Sequence, residues 1–193
     1  MERKILWIGI VILAGLLLFA GVTTLNKQKE FNGVEISPAP AAPEFSSLTN
    51  QDGQRVDLKT YQDKVVLLFF GYTSCPDICP ATMGRLKQVV VDLGDKKDEV
   101  VVMMITTDPE RDTQEQLGNY LGNFDSDFLG LTGSILNLEE TWKDYGVTVL
   151  DSGATHSTRV YVIDHSGNLR LTFPNEMSVG DMVSDLQVLI GER

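Results

Sequence analysis

A chain of 193 residues, 42% of them hydrophobic, has enough apolar material for one ordinary core once any membrane or linker segment is set aside. Its 16 basic and 27 acidic residues leave a net charge of -11. That balance argues against a nucleic-acid phosphate backbone as partner and is explained by a solvated, solubilising surface.

The first element is an uncharged stretch from Ile5 to Val22, rich in Leu, Ile and Val and preceded by Arg3 and Lys4. As a helix it reaches roughly 27 Å, close to a hydrocarbon core about 30 Å thick. The apolar run continues through Phe19, longer than the core of a cleaved signal peptide, so residues 1–25 are expected to be an uncleaved, single-pass membrane anchor. Arg3 and Lys4 are answered by Lys27 and Lys29, a small bias that places the N-terminus in the cytoplasm and the rest of the chain outside. Residues 26–44 turn polar and then rich in Pro and Ala, which predicts a stiff tether.

The folded domain is expected over residues 45–193. Phe45 and Leu48, then Val56 and Leu58, flank Asn50-Gln51-Asp52-Gly53 and predict an N-terminal β-hairpin. Val65 to Phe70 is apolar throughout, as in a central strand covered on both faces. Met83, Leu86, Val90 and Leu93 then recur at helical spacing from about Pro80. Val100 to Ile105 predicts a second buried strand, and Asp112-Thr113-Gln114-Glu115 a capping-box start, its first residue at the cap, for a helix through Leu117, Tyr120 and Leu121. Ile135, Leu138, Trp142 and Tyr145 mark another helix. Arg159 to Asp164 and Leu169 to Phe173 predict strands joined across His165-Ser166-Gly167-Asn168, before a last helix through Met182, Leu186 and Leu189. The order predicts an α/β, thioredoxin-like fold, with a central mixed sheet flanked by helices.

The only two cysteines, Cys75 and Cys79, lie in Gly71-Tyr72-Thr73-Ser74-Cys75-Pro76-Asp77-Ile78-Cys79-Pro80, at the carboxyl end of the predicted Val65 to Phe70 strand. Reactive groups collect at such strand ends in α/β sheets. Thiols one helical turn apart either close a disulfide or converge on one soft metal ion, and an extracytoplasmic pair must be kept reduced to bind metal. Cys79 stands at a predicted helix N-terminus, where the dipole is expected to lower its pKa. Two thiolates leave copper or zinc short of ligands. Of the two histidines, His156 lies in a small polar loop, where it is a candidate third ligand, and His165 in a predicted hairpin turn. Two sulfurs and one imidazole suit Cu(I), or Cu(II) with a further weak ligand. Asp77 and Asp108 lie where they could approach the site, and turn formation explains both equally well. Met83, Met103 and Met104 sit at core spacing, which favours packing over thioether ligation.

These blocks together resemble the Sco/SenC family of membrane-tethered, thioredoxin-like copper proteins. The resemblance rests on Asn50-Gln51-Asp52-Gly53, the cysteine block, Asp108-Pro109-Glu110-Arg111-Asp112-Thr113, and His156 ahead of Val160-Tyr161-Val162-Ile163-Asp164. His165 departs from it, at a turn position where the family often carries Pro. The resemblance implies that Cys75, Cys79 and His156 are copper ligands. It also implies that copper is passed to the binuclear copper centre in a subunit of cytochrome c oxidase, or that this centre's thiols are reduced. A copper metallochaperone, monomeric and not an enzyme, is therefore one expectation. The other is a thiol-disulfide oxidoreductase with Cys75 and Cys79 as the redox-active pair, reset by a thiol reductant.

Overall fold

The computed structural model describes residues 30–45, 47–150 and 158–192. The expected anchor at 1–25 and the loop carrying His156 lie outside the described residues. Among the described residues, no helix is long and apolar enough to cross a membrane. From Phe31 onward the chain forms one compact unit.

That unit is built on a six-stranded mixed sheet. In chain order the strands are β1 (Val34–Glu35), β2 (Val65–Gly71), β3 (Val100–Thr106), β4 (Leu129–Leu131), β5 (Val160–Ile163) and β6 (Leu169–Phe173). The helices are α1 (Ile78–Asp92), α2 (Gln114–Gly122), α3 (Ile135–Asp144) and α4 (Val179–Ile190). The spatial order of the strands is β1-β6-β5-β2-β3-β4. β2, β3 and β4 run parallel, whereas β5 pairs antiparallel with β2 and β6, and β1 antiparallel with β6.

Side chains alternate across a strand, so the unbroken apolar run of β2 feeds two cores at once. Val65, Leu67 and Phe69 enter one cluster with Met83, Leu86 and Val89 of α1, Leu117 and Leu121 of α2, and Leu186 and Leu189 of α4. Val66, Leu68 and Phe70 enter the other, with Leu138 and Trp142 of α3 and Tyr161. Met83, Met103 and Met104 are fully buried in these clusters, as core packing requires. The parallel β2–β3 register, Val65 opposite Val100 through Gly71 opposite Thr106, brings both strands to the same carboxyl edge.

Three expectations need correction. The Pro/Ala-rich segment is not a free tether after Phe31: β1 pairs with β6, and the Ala42 and Leu169 amides bond to the carbonyls of Gly167 and Pro40 at 2.9 and 2.8 Å. An edge segment tolerates Pro because only one of its sides must pair. The N-terminal hairpin reduces to an isolated Thr49–Arg55 bridge. There the Asn50 side-chain oxygen accepts from the amides of Asp52 and Gln54, at 3.1 and 2.9 Å, which holds a tight turn where a ladder was expected. Finally, α2 is capped by Thr113, whose hydroxyl accepts from the Gln116 amide, and not by Asp112.

Candidate metal centre

β2 ends at Gly71, and the chain turns through Tyr72 to Asp77 before α1 begins at Ile78. Cys75 is half-buried in that loop, and Cys79 is buried in the first turn of the helix. Both are free thiols. The helix-turn spacing brings them together: the Cys79 amide donates to the Cys75 sulfur at 3.4 Å. The missing side chain of Gly71 makes the room, since a Cβ there would lie 2.9 Å from the Cys79 sulfur and 2.5 Å from a Phe69 ring carbon.

The two sulfurs differ in environment. Burial alone would push the Cys75 thiol up. The amides of Asp77 and Cys79 and the side chains of Cys79 and Tyr72 outweigh it, and the net shift is downward. Cys79 is pushed up to about 12, chiefly by burial, despite its place at the helix N-terminus. The expected assignment is thus reversed: the activated thiol is Cys75, because the unpaired N-terminal amides of the helix point at its sulfur. Asp77 contributes that amide while its exposed carboxylate makes no capping bond.

The loop is held from below by a residue that sequence reading assigned to a helix cap. Asp112 is fully buried. Its carboxylate accepts from the Thr73 hydroxyl at 2.6 Å and amide at 3.1 Å, and from the Thr106 hydroxyl at 2.7 Å. It thereby ties the cysteine loop to the end of β3. The Thr107 amide adds a bond to the Gly71 carbonyl at 2.9 Å. Asp108 is engaged elsewhere, paired with Arg111 and lining a groove with Trp142 and Ile135. His165 occupies the β5–β6 turn as expected, where the Asp164 carboxylate accepts from the Ser166 and Asn168 amides at 2.9 Å.

Two soft donors one helical turn apart fit a thiophilic ion such as Cu(I). Among the described residues, no group of three His, Cys, Asp or Glu side chains converges to complete such a site. The third donor named from the sequence, His156, lies outside the described residues.

The SCO1/SenC family model matches residues 35–191, nearly all of the compact unit. The chain belongs to the SCO1/SenC family. A protein of Stutzerimonas stutzeri named as a putative copper-binding protein is 34% identical over 142 residues, covering 73% of this chain and 69% of that one. The human mitochondrial SCO1 homolog is 33% identical over 131 residues, 67% of this chain but only 43% of the human protein. Among solved structures, copper-bound ScoI of Bradyrhizobium japonicum superposes with a TM-score of 0.68 at 31% identity, covering 77% of this chain and 99% of that one. Apo Sco1 of Thermus thermophilus gives 0.73 at 32% identity, over 85% and 99% of the two chains. The mixed sheet and its flanking helices are therefore the thioredoxin-like architecture of Sco proteins.

Proposed function

We propose that this chain is a membrane-anchored, extracytoplasmic copper metallochaperone, in which Cys75, Cys79 and His156 bind one copper ion as cargo. The ion is delivered to the copper-centre subunit of cytochrome c oxidase. Residues 1–25 anchor the protein, and the domain acts as a monomer outside the cytoplasm. The observation that carries the reading is the pairing of two free thiols at the carboxyl edge of the sheet, with the Cys79 amide on the Cys75 sulfur. The copper-bound Sco relatives support it. A soft pair of thiolates discriminates for Cu(I), and copper binding displaces the two thiol protons.

Titration of the reduced protein with copper is expected to reach one ion per chain, with two sulfurs and one nitrogen in its X-ray absorption spectrum. His156→Ala is expected to weaken copper binding sharply while sparing disulfide exchange. Unchanged affinity in that variant would exclude the three-ligand site.

The contrast between the two thiols favours a second reading, thiol-disulfide exchange. The Cys75 thiolate attacks one sulfur of a partner disulfide, the other leaves as a thiolate, and Cys79 resolves the mixed disulfide. The partner gains two electrons and this chain ends with a Cys75–Cys79 disulfide, which an external thiol reductant reopens. Retained oxidase assembly in a variant that exchanges disulfides but holds no copper would favour this activity.

A further inference from the structure

Asn32 and Gly33 form the only Asn-Gly pair in the chain. Asn is among the chemically labile side chains, and it is most labile before glycine, where no side chain hinders the backbone nitrogen that attacks its amide carbon. In the fold both residues are tied to one carboxylate. Asp185 on α4 is buried and accepts from the Gly33 amide at 2.8 Å and from the Asn32 side-chain nitrogen at 2.8 Å. Both of its oxygens also accept from the Asn32 amide, at 3.0 Å.

Packing explains why the second position stays glycine. A Cβ on Gly33 would lie 2.8 Å from a Phe173 ring carbon and 3.2 Å from the Thr172 carbonyl oxygen, both on β6, against which β1 pairs from Val34. The labile pair is therefore built into the edge of the sheet, and Asp185 restrains it in two ways. The Gly33 nitrogen attacks only after losing its proton, and that proton is the one held on the carboxylate, where a negative nitrogen 2.8 Å away would be repelled. The bond to the Asn32 side-chain nitrogen pins the amide under attack and feeds electron density into it, which makes its carbon a poorer electrophile. Asn32 itself is exposed, so water reaches it.

We propose that Asn32 is a deamidation site, held unreactive by Asp185 and released to react whenever the segment around β1 opens. In the open segment hydroxide removes the Gly33 amide proton, and the nitrogen attacks the side-chain carbon of Asn32. The bond from that carbon to the side-chain nitrogen breaks, and the nitrogen takes a proton from water and leaves as ammonia. One water then opens the resulting succinimide at either carbonyl, leaving aspartate or isoaspartate at position 32. The product carries a carboxylate where Asp185 had a donor, so like charges meet and the segment does not dock again. The modification is a one-way release of β1 from α4, and it involves neither copper nor the cysteines.

The full chain is held at mildly alkaline pH, native or in denaturant, and aspartate and isoaspartate at position 32 are counted by peptide mapping and mass spectrometry. The native chain is expected to react at least about tenfold more slowly than the denatured one, the factor of a single hydrogen bond to a charged group. Asp185→Ala should remove most of that difference. Asn32→Asp, which carries the product carboxylate on an unaltered backbone, should lose hydrogen-exchange protection at Gly33 to Ile36. Equal rates in the native and denatured chains would overturn the proposal, and so would an Asp185→Ala chain that reacted no faster than the wild type. Wild-type protection in Asn32→Asp would overturn the one-way release. The wild-type and Asn32→Asp measurements decide the matter even where Asp185→Ala does not fold.

Discussion

The Thr73 hydroxyl donates to Asp112 at 2.6 Å, across 39 positions of sequence, and the carboxylate takes the Thr73 amide as well. A buried carboxylate with three donors, the third from Thr106 on β3, is a rigid post. It fixes the start of the loop that carries Cys75, two residues on.

Asp112→Asn removes one acceptor oxygen and leaves a buried donor facing the Asn amide. It is expected to cost about 2 kcal/mol of stability and to weaken copper binding. Thr113→Ala, which deletes only the cap of α2, should cost about 1 kcal/mol and leave copper binding alone. Chemical denaturation and copper competition on both variants separate the two roles. Equal losses of affinity would refute the role assigned to Asp112.

The two thiols should differ in chemistry and in linkage to stability. Cys75, lowered, reacts first with an alkylating reagent, and mass mapping of partly modified protein should find the label there. Cys79 is raised to about 12 in the fold, above its unfolded value near 8.5. Its contribution is therefore fully present below about pH 8.5 and is lost as pH rises toward the folded value, since the unfolded chain releases the proton first. Melting of the reduced, metal-free protein between about pH 8 and 10 should fall more steeply for the wild type than for Cys79→Ala. Parallel pH profiles would contradict this.

Gly71→Ala places a methyl 2.9 Å from the Cys79 sulfur and 2.5 Å from the Phe69 ring. An expected loss of about 1–3 kcal/mol from overpacking should be joined by weaker copper binding if, as proposed, the displaced sulfur is a ligand. Gly84, with nothing within 4 Å of a Cβ, is the control: Gly84→Ala should be neutral or stabilising and bind copper normally. Thermal melts and copper competition read both.

Asp185 on α4 is buried and accepts from the Asn32 and Gly33 amides at 3.0 and 2.8 Å and from the Asn32 side chain at 2.8 Å. Asp185→Ala should release the segment around β1, at a cost of about 2–4 kcal/mol, while leaving the cysteine loop intact. Hydrogen exchange is expected to rise at Gly33 to Ile36 with copper stoichiometry unchanged. Protection retained there would show that β-pairing alone holds the segment.

Much of this fold is legible in the sequence because its central elements carry strong patterns. β2 and β3 are unbroken apolar runs, and α1 has a clear apolar stripe. β1 and β4 escape because they are two and three residues long, with exposed side chains in one and Gly130 in the middle of the other. Gly130 is small for a packing reason, as a Cβ would lie 2.9 Å from Leu117, and no local pattern reveals it. At the site, the cysteine pair is plain from its spacing. Asp112 is not, since Asp-Thr-Gln-Glu reads equally well as a helix start, and its partners Thr73 and Thr106 come from other elements. The Cys79 expectation failed because a local rule about helix ends met burial, which depends on the whole core.

The sheet has short edges: β1 offers two residues on one side and β4 three on the other, while the seven-residue strands are interior. An incoming extended segment finds little ladder to continue on β1 or β4 themselves, which disfavours strand addition there as a way of holding a partner. Under the proposed function, a partner that exchanges copper or electrons with this domain is expected to approach the strand ends, where the two cysteines lie, and to grip side chains and loops. Small, quickly broken contacts of that kind would suit the proposed role, in which both cargo and client are released.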